Sequence, residues 1–232
     1  MSVSVAAAQK PAVRQSTPYR TFRRFTLSWR TGEAAEIDEV KGEQIRFNPK
    51  ISAAIRERDL VALQDILAAE PQQLETFTPF AGGTWLHYAS RDGDIDAVRL
   101  LISLGVDVNI GDSRDGRTPV CDACLGGNEE IVRVLLDAGA KLDTSDPIKN
   151  PLFSSIVGRS LPSAKILLDS GIDTEARYSG ASMKDMDAVA FALEQGEVSI
   201  AEEIARRQAM GNPKSMAQII EAAQEVAAFN NT

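Results

Sequence analysis

The sequence predicts an all-α solenoid of about five helix-turn-helix units preceded by a separate N-terminal extension. Three observations predict it. A set of residues recurs at a fixed spacing: Thr84, Leu86, Ala89, Gly93 and Gly105 return 34 positions later as Thr118, Val120, Ala123, Gly127 and Gly139. A further copy, NPLFSSIVGRSLPSAKILLDSGID, follows at a spacing of 32, with Pro151 under Pro119, Leu167-Leu168 under Leu135-Leu136 and Gly171 under Gly139. Between the punctuating glycines, apolar residues fall at helical and not at strand spacing. A period of this length is the signature of stacked repeats, in which every recurring residue is scaffold before it is anything else.

Within a unit the signals run in one order. A Thr or Asn, followed by Pro in Thr118-Pro119 and Asn150-Pro151, opens a short first helix by capping its free amides. Gly93 or Gly127 ends it. The second helix carries Ile95, Val98, Leu101 and Ile102 in one copy and Ile131, Val134 and Leu135 in the next. Gly105, Gly139 and Gly171 stop that helix, where only glycine takes a left-handed backbone cheaply. Weaker copies flank these, ISAAIRERDLVALQDILAAEP before and MDAVAFALEQGEVSIAEEIARRQAMG after. One unit is too thin to bury its own apolar stripe, so units must stack, and the end copies need polar outer faces.

The expected organisation is a disordered arm over 1–18, an extension over 19–47 and a repeat domain over 48–211. Its units are 48–80, 81–113, 114–146, 147–179 and 180–211, followed by a capping helix over 212–232. That last helix places Met216, Ile219, Ile220, Ala223 and Val226 on one side. In the extension, Phe25, Leu27 and Trp29 alternate as in a strand, and EIDEVKGEQIRF can return as its hairpin partner through Lys41-Gly42. The basic and aromatic residues of YRTFRRFTLSW also suit a nucleic-acid arm. The alternation favours a β-hairpin covering the first repeat.

Composition bounds the function. The chain of 232 residues is 44% hydrophobic and 25% charged, enough for a real core. No apolar run approaches the roughly 18 residues of a membrane span, so no membrane partner is expected. Two cysteines, Cys121 and Cys124, make no disulfide framework and fit a reducing, cytoplasmic location. The opening MSVSVAAAQK lacks the charge order of a secretory signal, while the acid-free first 30 residues also fit a mitochondrial transit segment, ranked below an arm. Net charge is −8, unevenly spread: residues 1–30 hold six basic groups and no acid, leaving 19 basic against 33 acidic on the remainder. Such an acidic body repels nucleic-acid phosphate and attracts a protein partner with a basic surface.

The segments TWLHYASRDGDIDAVRLLISLGVDVN and TPVCDACLGGNEEIVRVLLDAGAKLD resemble ankyrin repeats. The family pattern is met at Thr84, Leu86, His87, Ala89, Gly93, Ile95, Val98, Leu100, Leu101, Gly105, Val108 and Asn109, and the resemblance extends over about 48–211. Four departures stand out: Trp85 for the family proline, Cys121 for the histidine, Arg159 at the helix-ending glycine and Asp187-Ala188 for Thr-Pro. The resemblance implies a structural role for His87, its ring bonded to backbone in the loop between units.

Catalysis is not expected. His87 is the sole histidine, with no second zinc ligand and no nucleophile and acid around it. The C-x-x-C of Cys121 and Cys124 lies on a first helix, with no second pair and no βαβ pattern, which favours buried thiols over a redox or zinc site. The glycines of AGGT and LGGN lack the Lys-Ser/Thr or G-x-G-x-x-G context of a phosphate loop, so no cofactor and no small-molecule ligand is expected. What the resemblance implies instead is protein binding through the concave face. Carried over by position, that face includes Phe80, Arg114, Asp115, Arg117, Lys149, Met183, Lys184 and Met186 at loop tips. It includes Tyr88, Arg91, Asp92, Asp122 and Leu125 on first helices. Aromatic and arginine side chains favour Phe80, Tyr88, Arg91 and Arg114 as anchors. The expected function is stoichiometric inhibition of a partner, with an immunity protein neutralising a cognate toxin ranked first. An adaptor or scaffold for a signalling or transcription protein is ranked second.

Overall fold

The computed structural model describes residues 14–15, 48–78, 82–180, 183–210, 212 and 214–230. Among them are eleven α-helices: α1 (Pro49–Glu57), α2 (Leu60–Ala69), α3 (Trp85–Asp92), α4 (Ile95–Ser103), α5 (Pro119–Gly126), α6 (Glu129–Asp137), α7 (Pro151–Val157), α8 (Leu161–Asp169), α9 (Ala188–Glu194), α10 (Val198–Ala209) and α11 (Met216–Asn230). A 3₁₀ turn covers Pro71–Glu75, and two two-residue strands, β1 (Arg14–Gln15) and β2 (Tyr178–Ser179), pair in parallel.

The chain is an all-α solenoid. First helices touch in the order α1, α3, α5, α7, α9, second helices in the order α2, α4, α6, α8, α10, and α11 packs on both α9 and α10. One continuous apolar core runs from Ile51 to Ala223. Leu86, Val98, Leu101, Val120, Leu135, Leu152 and Leu167 within it are wholly excluded from solvent. These are the positions that recur with the period, so stacking is what buries them. On α11, Met216, Ile219, Ile220 and Val226 lie against the core and Ala223 within it, while Gln218, Glu221, Gln224, Glu225 and the ring of Phe229 are exposed.

Most helix starts follow the capping chemistry of the sequence, although Thr118, expected to cap α5, gives no side-chain bond to its amides. Asn48, Asp59, Asp94, Asn150, Ser160 and Asp187 each accept an amide of the first turn they precede. The turn between the two helices of each unit needs one left-handed residue, held by Arg58, Gly93, Gly127, Arg159 and Gly196 at φ 56°, 84°, 72°, 57° and 78°. Two of the five are arginines, a conformation that costs about 1–2 kcal/mol without glycine. Both guanidinium groups then reach the following unit: Arg58 donates to Gly93 O at 3.0 Å, and Arg159 Nε meets Glu197 Oε1 at 2.5 Å.

Two regions depart from the reading of the sequence. Arg14–Gln15 form a strand within the segment expected to be a disordered arm, while the hairpin expected over 19–47 lies outside the described residues. The connection between α8 and α9 holds a small hairpin in which Tyr178 pairs antiparallel with Met186. No glycine or turn pair marks it in the sequence as strongly as the repeat marks the helices.

Candidate functional site: the first-helix face and loop tips

The loop tips are built by short-range backbone bonding. Thr78 N–H donates to Gly83 O and Asp112 N–H to Arg117 O, each at 2.7 Å. Asp112 Oδ1 then accepts the amides of Arg114, Asp115 and Gly116 at 3.1, 2.7 and 3.1 Å, which fixes the second tip. Ser113 N–H donates to Gly82 O at 2.9 Å and ties this tip to the one before it.

His87 is the joint beneath these tips. Its Nδ1 accepts Thr84 N–H at 3.0 Å, and its Nε2 lies 2.8 Å from Arg117 O. The first contact requires an unprotonated Nδ1, so Nε2–H is the donor to the carbonyl. The ring thus caps α3 and clips one repeat to the next. Burial lowers its affinity for a proton, against the pull of Asp122 and Asp112, so it is neutral at pH 7. One unit further on, Cys121 Sγ replaces the imidazole and donates to Lys149 O at 3.1 Å. In the unit after that, Phe153 stands at the position and the joint is aromatic: its ring meets Tyr178 edge-on at 5.1 Å and stacks on Phe191 at 4.5 Å.

Behind the Asp112–Arg117 tip lies a buried charge cluster. Arg117, with 3% of its side chain exposed, sits 3.4 Å from Asp112 Oδ2 and 3.5 Å from Asp122 Oδ1, and Arg91 lies 3.3 Å from the same Asp122 oxygen. Burial works against the charge on Arg117, yet the carboxylates of Asp122 and Asp112 outweigh it and hold its pKa above the ordinary value. For Arg91 burial prevails over Asp122 and the value falls.

These placements divide the residues expected at a partner surface. Asp92, Arg114 and Lys184 are exposed, and Arg91, Asp115, Leu125 and Lys149 are half-buried and within reach of solvent. Tyr88 is 7% exposed, its ring edge-on to Trp85 at 6.1 Å. Tyr88, Arg117, Asp122, Met183 and Met186 are corrections to the expectation, since all five are buried. Arg117 and Asp122 belong to the charge cluster; Met186 pairs with Tyr178, and Met183 O accepts Gly180 N–H at 2.7 Å. Phe80 lies outside the described residues. Missed by the sequence reading were half-buried Val157 and Glu194 and exposed Arg56, which stand on first helices at the level of Leu125 and Arg91. Advancing Leu125 by the 32-residue offset finds Val157.

The middle of this face is tightly closed. A methyl group added to Gly126 would lie 2.5 Å from Arg91 O, and one added to Gly158 would run into Cys124 O while standing 3.0 Å from Leu125 O. Backbone thus approaches backbone between α3, α5 and α7, leaving Leu125 and Val157 as a small apolar centre. The same first helices and tips carry exposed Arg56, Asp92 and Arg114 and half-buried Lys149.

Among the described residues no group of three or more His, Cys, Asp or Glu could hold a metal ion. Cys121 and Cys124 are free, buried thiols; burial pushes Cys121 up to about 11 and Cys124 well above its ordinary value, the reverse of an activated nucleophile. No helix among the described residues is long and apolar enough to cross a membrane.

Comparison with known proteins places this architecture. The family described as ankyrin repeats (3 copies) matches residues 51–146 and again 86–178. The chain is 33% identical over 119 residues to the ankyrin repeat protein YahD of Escherichia coli (strain K12), which is half of this chain and 56% of YahD. It is 31% identical over 128 residues to the NF-kappa-B inhibitor cactus of Drosophila melanogaster, covering 52% of this chain and 25% of cactus. It is 40% identical over 123 residues to protein phosphatase 1 regulatory subunit 12A of Mus musculus, covering 52% of this chain and 12% of that subunit. The chain therefore spans about half of YahD and a quarter or less of the other two. Two of the three carry a name for inhibiting or regulating another protein, and ankyrin repeats are protein-binding modules. With the period, the paired helix layers and the family match in agreement, the chain belongs to the ankyrin-repeat family.

Proposed function

We propose that the chain is a non-catalytic, cytoplasmic inhibitor that binds one partner protein stoichiometrically through its first-helix face. The observation that carries this reading is the pair of half-buried apolar residues Leu125 and Val157 on adjacent first helices, on a face that also carries Arg56, Asp92, Arg114 and Lys149. An apolar patch inside a charged rim is the layout of a protein interface. The excess of acid beyond residue 30 supports a partner with a basic surface and disfavours nucleic acid. Likeness to the inhibitor cactus supports inhibition as the outcome of binding. Within this reading an immunity protein that neutralises a cognate toxin comes first. Co-expression tests it: the chain should restore growth to cells making a toxic protein encoded beside it, and an absence of rescue removes that assignment.

A second reading is an adaptor that regulates a signalling or transcription protein, favoured by the likeness to a phosphatase regulatory subunit. An adaptor leaves its partner active and joins it to a third protein. An activity assay of the purified one-to-one complex separates the two.

A further inference from the structure

The connection between the fourth and fifth repeats is longer than the others. Its left-handed turn residues, Arg159 and Gly196, are 37 positions apart, against 32 to 35 elsewhere in the stack. Between this connection, the end of α10 and α11 lies a cavity of about 260 Å³. That is below the roughly 300–1,000 Å³ of small-molecule pockets, a size that suits a single side chain.

The part of the lining that α11 supplies is apolar. Ile219 and Val226 stand two turns apart on it, roughly 10 Å along the axis, with Ala222 and Ala223 between them. The rest is polar, and its acceptors are fixed in place. Gln208 donates through Nε2 to Thr174 O at 2.7 Å, which orients its amide and leaves Oε1 as an acceptor. Asp187 accepts Ala190 N–H through Oδ1 and Arg177 Nη1 through Oδ2, at 2.9 and 2.7 Å. A carboxylate offers about four lone-pair sites, so two remain. Glu175 is exposed and makes no ion pair among the described residues.

Charge decides what such a cavity takes. Arg177 is already engaged: Nε and Nη2 donate to Asp185 Oδ1 and Oδ2 at 2.8 and 3.0 Å, and Nη1 to Asp187. One guanidinium balances only one of those two carboxylates. Lys214, the other cation of the lining, balances a second. With Glu175 the site and its ion pairs hold three carboxylates against two cations, one positive charge short. The acidic body adds to the deficit and repels an anionic occupant. An arginine side chain answers each feature, since its methylene stem lies on apolar surface while its head carries five donors and no acceptor.

We propose that the cavity between the fifth repeat and α11 receives one arginine side chain of the partner protein, its stem along Ile219 and Val226 and its head on Glu175 and Gln208 Oε1. The inference rests on the reading of a protein partner with a basic surface and names one contact that surface makes.

NMR titration of the isotope-labelled full-length chain with N-acetyl-arginine N-methylamide tests it. The proposal expects saturable shifts, at millimolar probe, in the side-chain amides of Gln208 and Asn212 and the backbone amides of 219–226. The citrulline counterpart, which has the same shape without the charge, should bind several-fold more weakly, and Glu175→Gln should weaken arginine binding to a similar degree. Ala222→Phe, at an exposed position of the lining, should fill the cavity and abolish the shifts while the circular dichroism spectrum stays that of the wild type. An absence of saturable shifts, or equal binding of arginine and citrulline, overturns the site. So do shifts that survive Ala222→Phe, and so does tighter binding of N-acetyl-glutamate N-methylamide, which would make Lys214 the recognising group. Because the probe needs no partner, an absence of rescue on co-expression with the arginine shifts intact removes the immunity reading and not the cavity's chemistry.

Discussion

Replacing Gly158 with alanine sets two effects of opposite sign against each other. Gly158 closes α7 with φ −72° and ψ −6°, ordinary right-handed values that any residue adopts. Alanine there loses nothing in conformation and gains up to about 1 kcal/mol in helix propensity. Against this, the new methyl group would run into Cys124 O and stand 3.0 Å from both Leu125 Cα and Leu125 O. All three neighbours are backbone of α5, so none can rotate away; α5 and α7 must separate. Overpacking of this kind costs about 1–3 kcal/mol. The net expectation is destabilisation of about 1–2 kcal/mol, or a fall in Tm of roughly 2–8 °C for a domain of this size. Urea and thermal unfolding followed by circular dichroism measure it. A variant as stable as the wild type, or more so, would refute the close approach of the first helices, and with it the tightly closed centre of the binding face.

Other predictions concern the joints. His87→Ala removes a buried acceptor from Thr84 N–H and a buried donor to Arg117 O. At about 1–3 kcal/mol for each orphaned group, the variant should lose about 2–5 kcal/mol in urea unfolding, and a loss near zero would release His87 for another role. The same residue gives a pH dependence. Burial holds its folded pKa below the 6.5 of a free imidazole, so between the two the unfolded chain holds a proton that the folded one lacks. This part of the stability is complete above about 6.5 and declines as pH falls below it. Tm should drop more steeply from pH 7 to 5.5 in the wild type than in His87→Gln; equal slopes would contradict a buried neutral ring. Finally, Cys121 and Cys124 should resist a thiol reagent at pH 8 in the native state and react in urea, since the Cys121 thiol is pushed up to about 11. Rapid native labelling would place them at a surface.

The fold was legible because the repeat writes each packing contact several times over. His87 is an example: the resemblance implied a backbone joint, and the ring bonds to the next loop. Arg117 shows where a linear reading fails. A loop arginine between glycine and threonine looks solvated, and only folding brings Asp112 and Asp122, each five residues away, around its guanidinium. The same cluster draws in Arg91, so an acidic replacement at Arg91 would unsettle Asp122 and disturb the fold as well as any partner. Met183 and Met186 read as tip residues because a 34-residue frame predicts an ordinary tip there. The longer connection folds them inward beside Tyr178. Val157 is legible at the same 32-residue offset that places Pro151 under Pro119, one unit on from Leu125.

Hydrogen exchange on the complex with the protein whose toxicity the chain suppresses on co-expression bears most directly on binding through the first-helix face. The account predicts slowed exchange over the α3, α5 and α7 segments containing Asp92, Leu125 and Val157 and over the tips at Arg114 and Lys149. It predicts unchanged exchange along α4, α6 and α8. Protection concentrated on those second helices instead would contradict it.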